Sequence, residues 1–165
     1  MTDRTVLITG CSSGIGECVA HGLAGRGYRV LATARQEQDV ARLQAAGLES
    51  FPLDVSDPAS VTAAVEETLA RTGGTLYALF NNGAYGQPGL VEDLPTPVLR
   101  AQFEANVFGW HDLTTRLLPA MHEQRSGRIV QCSSVLGFMA APYRGAYNAS
   151  KFALEGLTDT LRLEL

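Results

Sequence analysis

The chain has 165 residues, is 45% hydrophobic and 18% charged, and carries a formal net charge of -4. That composition can bury the core of one domain and excludes a disordered chain. Lysine and arginine total 13 against 17 acidic residues and are scattered, which excludes a basic nucleic-acid-binding surface. Cys11, Cys18 and Cys132 have no metal-ligand spacing and leave one thiol over in any disulfide scheme, so they read as reduced thiols of a cytoplasmic protein. The apolar run near the N-terminus is too short for a signal sequence or a membrane span, and a soluble protein is the expectation.

Residues 5–9 (TVLIT) are brief, apolar and β-rich, as a strand buried on both faces should be. A glycine-rich turn follows, then a helix over 17–26 that ends at Gly27. A second strand is expected at 28–33, a short helix at 39–46 and a third strand at 50–53. Asp57 is placed to cap a helix with Pro58 at its first position, running to Arg71 and broken by Gly73 and Gly74. Residues 76–80 (LYALF) read as a fourth strand, and 84–96 as a loop rich in glycine and proline. A helical stretch covers 101–122 with an interruption near Gly109; a fifth strand is expected at 128–132, a loop at 133–146 and a final helix at 147–165. Alternating strands and helices of these lengths predict an α/β fold with a parallel sheet and right-handed crossovers. The histidines, His21, His111 and His122, have no ligand spacing, no metal site is expected, and Trp110 reads as packing.

Gly10, Gly14 and Gly16 lie between the first strand and the first helix, spaced G-x3-G-x-G. Glycines there permit the turn and let backbone N–H groups approach a pyrophosphate resting on the helix N-terminus. Ser12 and Ser13 add hydroxyls, and the absence of a lysine after the last glycine argues against a Walker-type phosphate loop. At the end of the second strand, where an acidic residue would bind a ribose 2′-hydroxyl, the chain reads Ala34-Arg35. Arg35 can pair with a 2′-phosphate, which favours NADP(H) over NAD(H) while leaving NAD(H) open.

Tyr147 and Lys151 are four residues apart and share one face of the final helix. An ammonium beside a phenol favours the phenolate, bringing a group that ordinarily titrates near pH ~10 towards neutral pH. Such a tyrosine can exchange a proton with a carbonyl or alcohol oxygen.

With these features in place, the sequence resembles the short-chain dehydrogenase/reductase family. The resemblance is carried by Thr9-Gly10-Cys11-Ser12-Ser13-Gly14-Ile15-Gly16, Leu53-Asp54-Val55, Asn81-Asn82-Gly83-Ala84, Asn106 in EANVFG, the run GRIVQCSS, and Tyr147-Asn148-Ala149-Ser150-Lys151. The motifs stand in the family's order and span nearly the whole chain. The turn and the last helix look most like the branch of 17β-hydroxysteroid and retinol dehydrogenases and related bacterial reductases.

The resemblance implies a Rossmann-like, doubly wound parallel sheet over residues 1–165. It implies Tyr147 as general acid/base and Ser134, thirteen residues earlier, as the hydroxyl that orients the substrate oxygen. Lys151 would bind the nicotinamide ribose and tune Tyr147, and Asn106 would hold a water that links Lys151 to solvent. Cofactor contacts would come from Gly10, Ser12, Ser13, Gly14, Ile15 and Gly16, from Asp54 to the adenine amino group, from the Val55 backbone, and from Asn82 and Gly83.

Two departures stand out. Family members usually read Asn-Asn-Ala-Gly where this chain has Asn81-Asn82-Gly83-Ala84. Family chains also run to about 250 residues, whereas this sequence ends at Leu165 in the last helix. A sixth and a seventh strand and a substrate-covering segment are therefore expected to be missing, which leaves the fifth strand as a sheet edge. Two readings stay open: a fragment of a longer protein, or a homo-oligomer that covers the exposed face. The expected activity is interconversion of a carbonyl and an alcohol on a small, hydrophobic substrate with NADP(H). The alternative is a dinucleotide-binding module without catalysis.

Overall fold

A computed structural model describes residues 4–165. Strands β1 (Thr5–Ile8), β2 (Arg29–Ala34), β3 (Glu49–Pro52), β4 (Ala78–Asn81) and β5 (Ile129–Gln131) form one parallel sheet in the order β3-β2-β1-β4-β5. The connecting helices are α1 (Gly14–Ala24), α2 (Glu37–Ala45), α3 (Pro58–Thr72), α4 (Thr96–Phe103) and α5 (Gly109–Glu123), and α6 (Gly145–Glu164) follows β5. A π-helical turn (Glu104–Phe108) joins α4 to α5, and a 3-10 turn (Val135–Gly137) lies between β5 and α6.

Alternation along β1 builds two cores. Leu7 points to one face, among Leu31, Leu79, Val61, Leu113 and Leu117 from neighbouring strands, α3 and α5. Val6 and Ile8 point to the other, among Val30, Ala32, Ala20, Val40 and Leu43 from β2, α1 and α2. Both faces of β1 are thus covered, which explains its unbroken apolar sequence. Each fully buried Leu or Ile here contributes roughly 1.5–3 kcal/mol. The architecture is the expected α/β, doubly wound sheet.

The chain winds outward through β2 and β3, then crosses back to β4 on the other side of β1. The turns after β1 and β4 therefore diverge and leave a crevice at the C-terminal ends of the strands, the topological switch point where such sheets bind ligands. β5 forms the sheet edge, with Val130 half exposed.

Boundaries differ from the sequence reading at several points. α1 starts at Gly14, inside the glycine turn, and α6 starts at Gly145, ahead of Tyr147. The interruption expected near Gly109 is the π-helical turn that ends just before it. Gly109 is required there: a Cβ would lie 1.8 Å from the Val55 carbonyl oxygen.

Candidate active site

The glycine turn is held by its neighbours. Gly10 and Gly14 have positive φ, and a Cβ on Gly10 would sit 2.5 Å from the Gly83 Cα. A Cβ on Gly16 would lie 2.3 Å from the Gly10 carbonyl oxygen. The Gly83 that departs from the family pattern thus packs backbone to backbone against Gly10. Ser13 is the N-cap of α1, but its side chain makes no capping hydrogen bond, and Ser13, Gly14 and Ile15 are exposed. The first turn of α1 is therefore exposed, with no Ser13 side chain capping its N–H groups, as a phosphate site requires.

Asn82 does not reach into the crevice. Its Nδ2 donates to the carbonyls of Thr9 (3.1 Å) and Gly10 (3.2 Å), while the N–H groups of Asn82 and Gly83 donate to Thr9 Oγ1 at 2.9 and 2.8 Å. It braces the β1 turn against the end of β4. Arg42 on α2, which the sequence reading passed over, does a similar job from the other side. It pairs with Glu17 and donates to the Ser12 carbonyl at 2.5 Å.

Gly10, Ser12, Arg35, Asp54, Val55 and Gly83 line one cleft of about 760 Å³. Arg35 follows directly on β2, is exposed, and has no ion-pair partner among the described residues. Asp54 Oδ1 accepts from the N–H (3.0 Å) and Oγ (2.6 Å) of Ser56, so Asp54 caps a turn and also faces the cleft. The glycine cradle and the open helix terminus fit a dinucleotide.

The second half of the site gathers on α6, the π-helical turn and the end of β5. Tyr147 is half-buried, with Gly86 against its ring: a Cβ on Gly86 would lie 3.3 Å from Tyr147 Cδ2. Lys151 is 1% exposed. Its Nζ donates to the Cys132 carbonyl at 2.8 Å and stands 5.6 Å from the centre of the Tyr147 ring. Burial pushes the Lys151 ammonium down to about 8, against the opposing charges of Cys132 and Glu155. Ser134 caps the 3-10 turn, its Oγ accepting from the Leu136 N–H at 3.1 Å, which leaves its own proton free to donate. Ser133 Oγ is buried and lies beside Gly137, where Glu155 also packs.

Asn106 sits in the π-helical turn and is fully buried. Its Nδ2 donates to the Tyr85 carbonyl (2.8 Å) and Ser150 Oγ (3.2 Å), and its Oδ1 accepts from the Tyr85 N–H (3.2 Å). Both amide hydrogens are therefore committed to protein partners. Ser150 Oγ donates in turn to the Tyr147 carbonyl at 2.8 Å. Buried Gln102, four residues earlier, also donates to the Tyr85 carbonyl (2.8 Å) and accepts from the Gln87 N–H (2.7 Å). Its i−4 spacing from Asn106 was the available signal for it.

Trp110 is wholly buried, as a packing residue should be, and it also makes polar contacts that the packing reading missed. Its Nε1 donates to the Gly83 carbonyl at 2.7 Å, and its ring centre lies 4.3 Å from Lys151 Nζ. No sequence signal pointed to this contact, since Trp110 and Lys151 lie 41 residues apart on different helices. Cys11 is a different case. Its thiol is buried and pushed up to about 12, so it is inert. Among the described residues no group of three or more His, Cys, Asp or Glu side chains could hold a metal, and no helix is long and apolar enough to cross a membrane.

A cleft at the switch point of a doubly wound sheet, lined by the glycine turn at Gly10 and Ser12 and by Gly83 beyond β4, defines a dinucleotide-binding class of α/β protein. Residues 4–165 match the family model described as short chain dehydrogenase, and the chain belongs to that family. It is 47% identical over 162 residues to the uncharacterized oxidoreductase YbbO of Escherichia coli K12, covering 98% of this chain and 60% of that protein. It is 38% identical to human retinol dehydrogenase 8, covering 98% of this chain and 54% of the relative. Among solved structures, a short-chain dehydrogenase from Streptomyces avermitilis superposes with a TM-score of 0.95 at 36% identity, covering 99% of this chain and 61% of that one. Actinorhodin polyketide ketoreductase with NADPH superposes with a TM-score of 0.91 at 31% identity, covering 98% and 65%. The chain thus spans about 60% of the length of the relatives it matches.

Proposed function

We propose that this chain carries the cofactor cleft and proton-transfer groups of an oxidoreductase that interconverts a carbonyl and an alcohol, with NADP(H) preferred. The observation that carries the reading is the buried Lys151 ammonium, held 5.6 Å from the ring centre of Tyr147, which packs against Gly86 next to the cleft-lining Tyr85. The cofactor, when bound, supplies or accepts the hydride.

The chain's own residues do the rest. Gly10, Gly14, Gly16 and the N-terminal turn of α1, with Ser12, Ser13 and Ile15, would hold the pyrophosphate. Arg35 would pair with the 2′-phosphate, while Asp54 and the Val55 backbone would face the adenine. Asn82 and Gly83 keep the two walls of the cleft in register. Tyr147 gives its proton to the substrate oxygen in reduction and takes it back in oxidation, and Ser134 donates a hydrogen bond to the same oxygen. Lys151 keeps positive charge beside the phenol. The side chain of Asn106 is spent on Tyr85 and Ser150, so in a proton relay it would engage a water through its backbone carbonyl or the remaining lone pair of Oδ1.

The apolar side chains Val91, Val135, Phe138, Met139 and Tyr143 are exposed on the segments that flank Tyr147, which supports a hydrophobic substrate. Titration with NADPH and NADH, followed by turnover of a panel of ketones, aldehydes and secondary alcohols, tests the reading. Tyr147→Phe should lower kcat by about 10²–10⁴-fold and leave NADPH affinity within about twofold. Unchanged turnover in that variant refutes the mechanism, and tight cofactor binding without turnover by the unaltered chain favours the non-catalytic module.

A further inference from the structure

We infer that Trp110 is a positioning residue of this site: its indole couples the Gly83 carbonyl in the wall of the cofactor cleft to the Lys151 ammonium. The two ends of the indole make different contacts. The N–H edge donates to Gly83 at 2.7 Å, and the π face receives the ammonium at 4.3 Å. A ring centre within about 6 Å of a cation attracts it, and indole does so best among the aromatic side chains.

Packing alone would not select this side chain. Leucine or phenylalanine could fill much of the same buried space, but neither offers both an N–H donor and an indole face. The indole's direction is also fixed. Trp110 is the second residue of α5, and it follows Gly109, whose Cα is pressed against the Val55 carbonyl. Val55 itself lines the same cleft. A shift of the α5 start would therefore disturb the adenine side, the Gly83 wall and Lys151 together.

Lys151 has few partners that could do this work instead. The Cys132 carbonyl takes one ammonium hydrogen. The titratable groups that face Lys151 are Tyr147 and Glu155 on its own helix and Cys132 at the end of β5; the π-helical turn presents Asn106 nearby, and α5 presents Trp110. The ring face thus stands as a neutral, dry counterpart to a charge that burial disfavours.

This inference rests on the proposed chemistry only for its meaning in turnover, and the test separates the two. Because the chain has a single lysine and a single tryptophan, 13Cε-lysine reports Lys151 alone and 5-fluorotryptophan alters Trp110 alone. The Lys151 resonance is titrated in the unaltered chain, the 5-fluorotryptophan chain, Trp110→Phe and Trp110→Leu, and NADPH affinity is read by cofactor fluorescence. A π face stabilises the charged form, so weakening it must lower the titration midpoint. Trp110→Leu should lower it by about 0.5–1 pH unit. Trp110→Phe and the fluorinated ring should lower it less.

Trp110→Phe also loses the donor to Gly83 and should weaken NADPH binding about three- to tenfold. The fluorinated chain keeps that N–H and should hold NADPH normally. A midpoint that is the same in all four proteins overturns the inference even if every one turns over substrate. A midpoint that moves as expected upholds it even if none does, in which case the carbonyl–alcohol reading alone falls. If the leucine variant does not fold, the fluorinated chain decides.

Discussion

Lys151→Met should make the protein more stable at neutral pH while it disables the site. In the unfolded chain Lys151 titrates near its usual 10.5, and in the fold at about 8. That gap corresponds to roughly 3 kcal/mol by which the fold disfavours the charged form. Below pH 8 the lysine is protonated in both states, and the penalty is present in full. Between pH 8 and 10.5 the unfolded chain binds more protons, so stability rises with pH across that window. Methionine removes the charge and keeps an unbranched stem of similar volume. It also leaves the Cys132 carbonyl without the 2.8 Å donor, a loss of about 1 kcal/mol. The net expectation at pH 7 is a gain of about 1–2 kcal/mol for Lys151→Met. The advantage should shrink through the window and vanish or reverse above it. Urea denaturation of both proteins at pH 7, 8, 9 and 10 reads the difference directly. Ionisable groups away from Lys151 are the same in both chains and cancel, and no other lysine exists to confuse the window. Stability curves that stay parallel from pH 7 to 10 would refute the claim that a buried, destabilised ammonium occupies this place.

Two further outcomes follow from the cofactor half of the cleft. Arg35→Ala should raise the Kd for NADPH by about 10–100-fold, the loss of a charged hydrogen-bonded contact, and leave NADH within about twofold; equal losses for both cofactors would contradict the 2′-phosphate assignment. Gly16→Ala puts a Cβ 2.3 Å from the Gly10 carbonyl oxygen and 2.6 Å from Asn82 Nδ2. It should cost about 1–3 kcal/mol and weaken both cofactors alike, so an unchanged Tm would show that the turn is not packed in this way.

The order of strands and helices was legible because local signals agreed with one another. β1 is apolar on both faces, Pro58 follows the capping Asp57, and Gly73 closes α3 in the left-handed conformation. Boundaries were less legible where one residue serves two elements. The last glycines of the turn are also the first turn of α1, so reading the turn as a separate loop delayed the expected helix to residue 17. The π-helical turn was visible only as an interruption near Gly109, because the cause lies far off in sequence, at the Val55 carbonyl. The pairing of Tyr147 with Lys151 could be read from spacing alone. Trp110 beneath Lys151 could not, since 41 residues and two elements separate them.

The same distance effect explains why Asn82, Asn106 and Gln102 turned out to brace the site rather than point into it. The turns after β1 and β4 must lie close together to form the crevice, and the sheet pairs only part of their backbone. Thr9 and Cys11 still donate to Phe80 and Thr33 of the neighbouring strands, but the remaining partly buried carbonyls and N–H groups need side-chain partners. A carboxamide carries donor and acceptor on one short stem and can satisfy both kinds of group. Asn106 and Gln102 do so for Tyr85 and Gln87, while Asn82 donates to the Thr9 and Gly10 carbonyls. Trp110 adds a donor for Gly83. Each of these side chains spends at least one polar atom on backbone around the cleft. Groups that keep capacity to meet a ligand include the Arg35 guanidinium and the open N-terminal turn of α1. They can be held in fixed positions because the amides and the indole hold the backbone beside them.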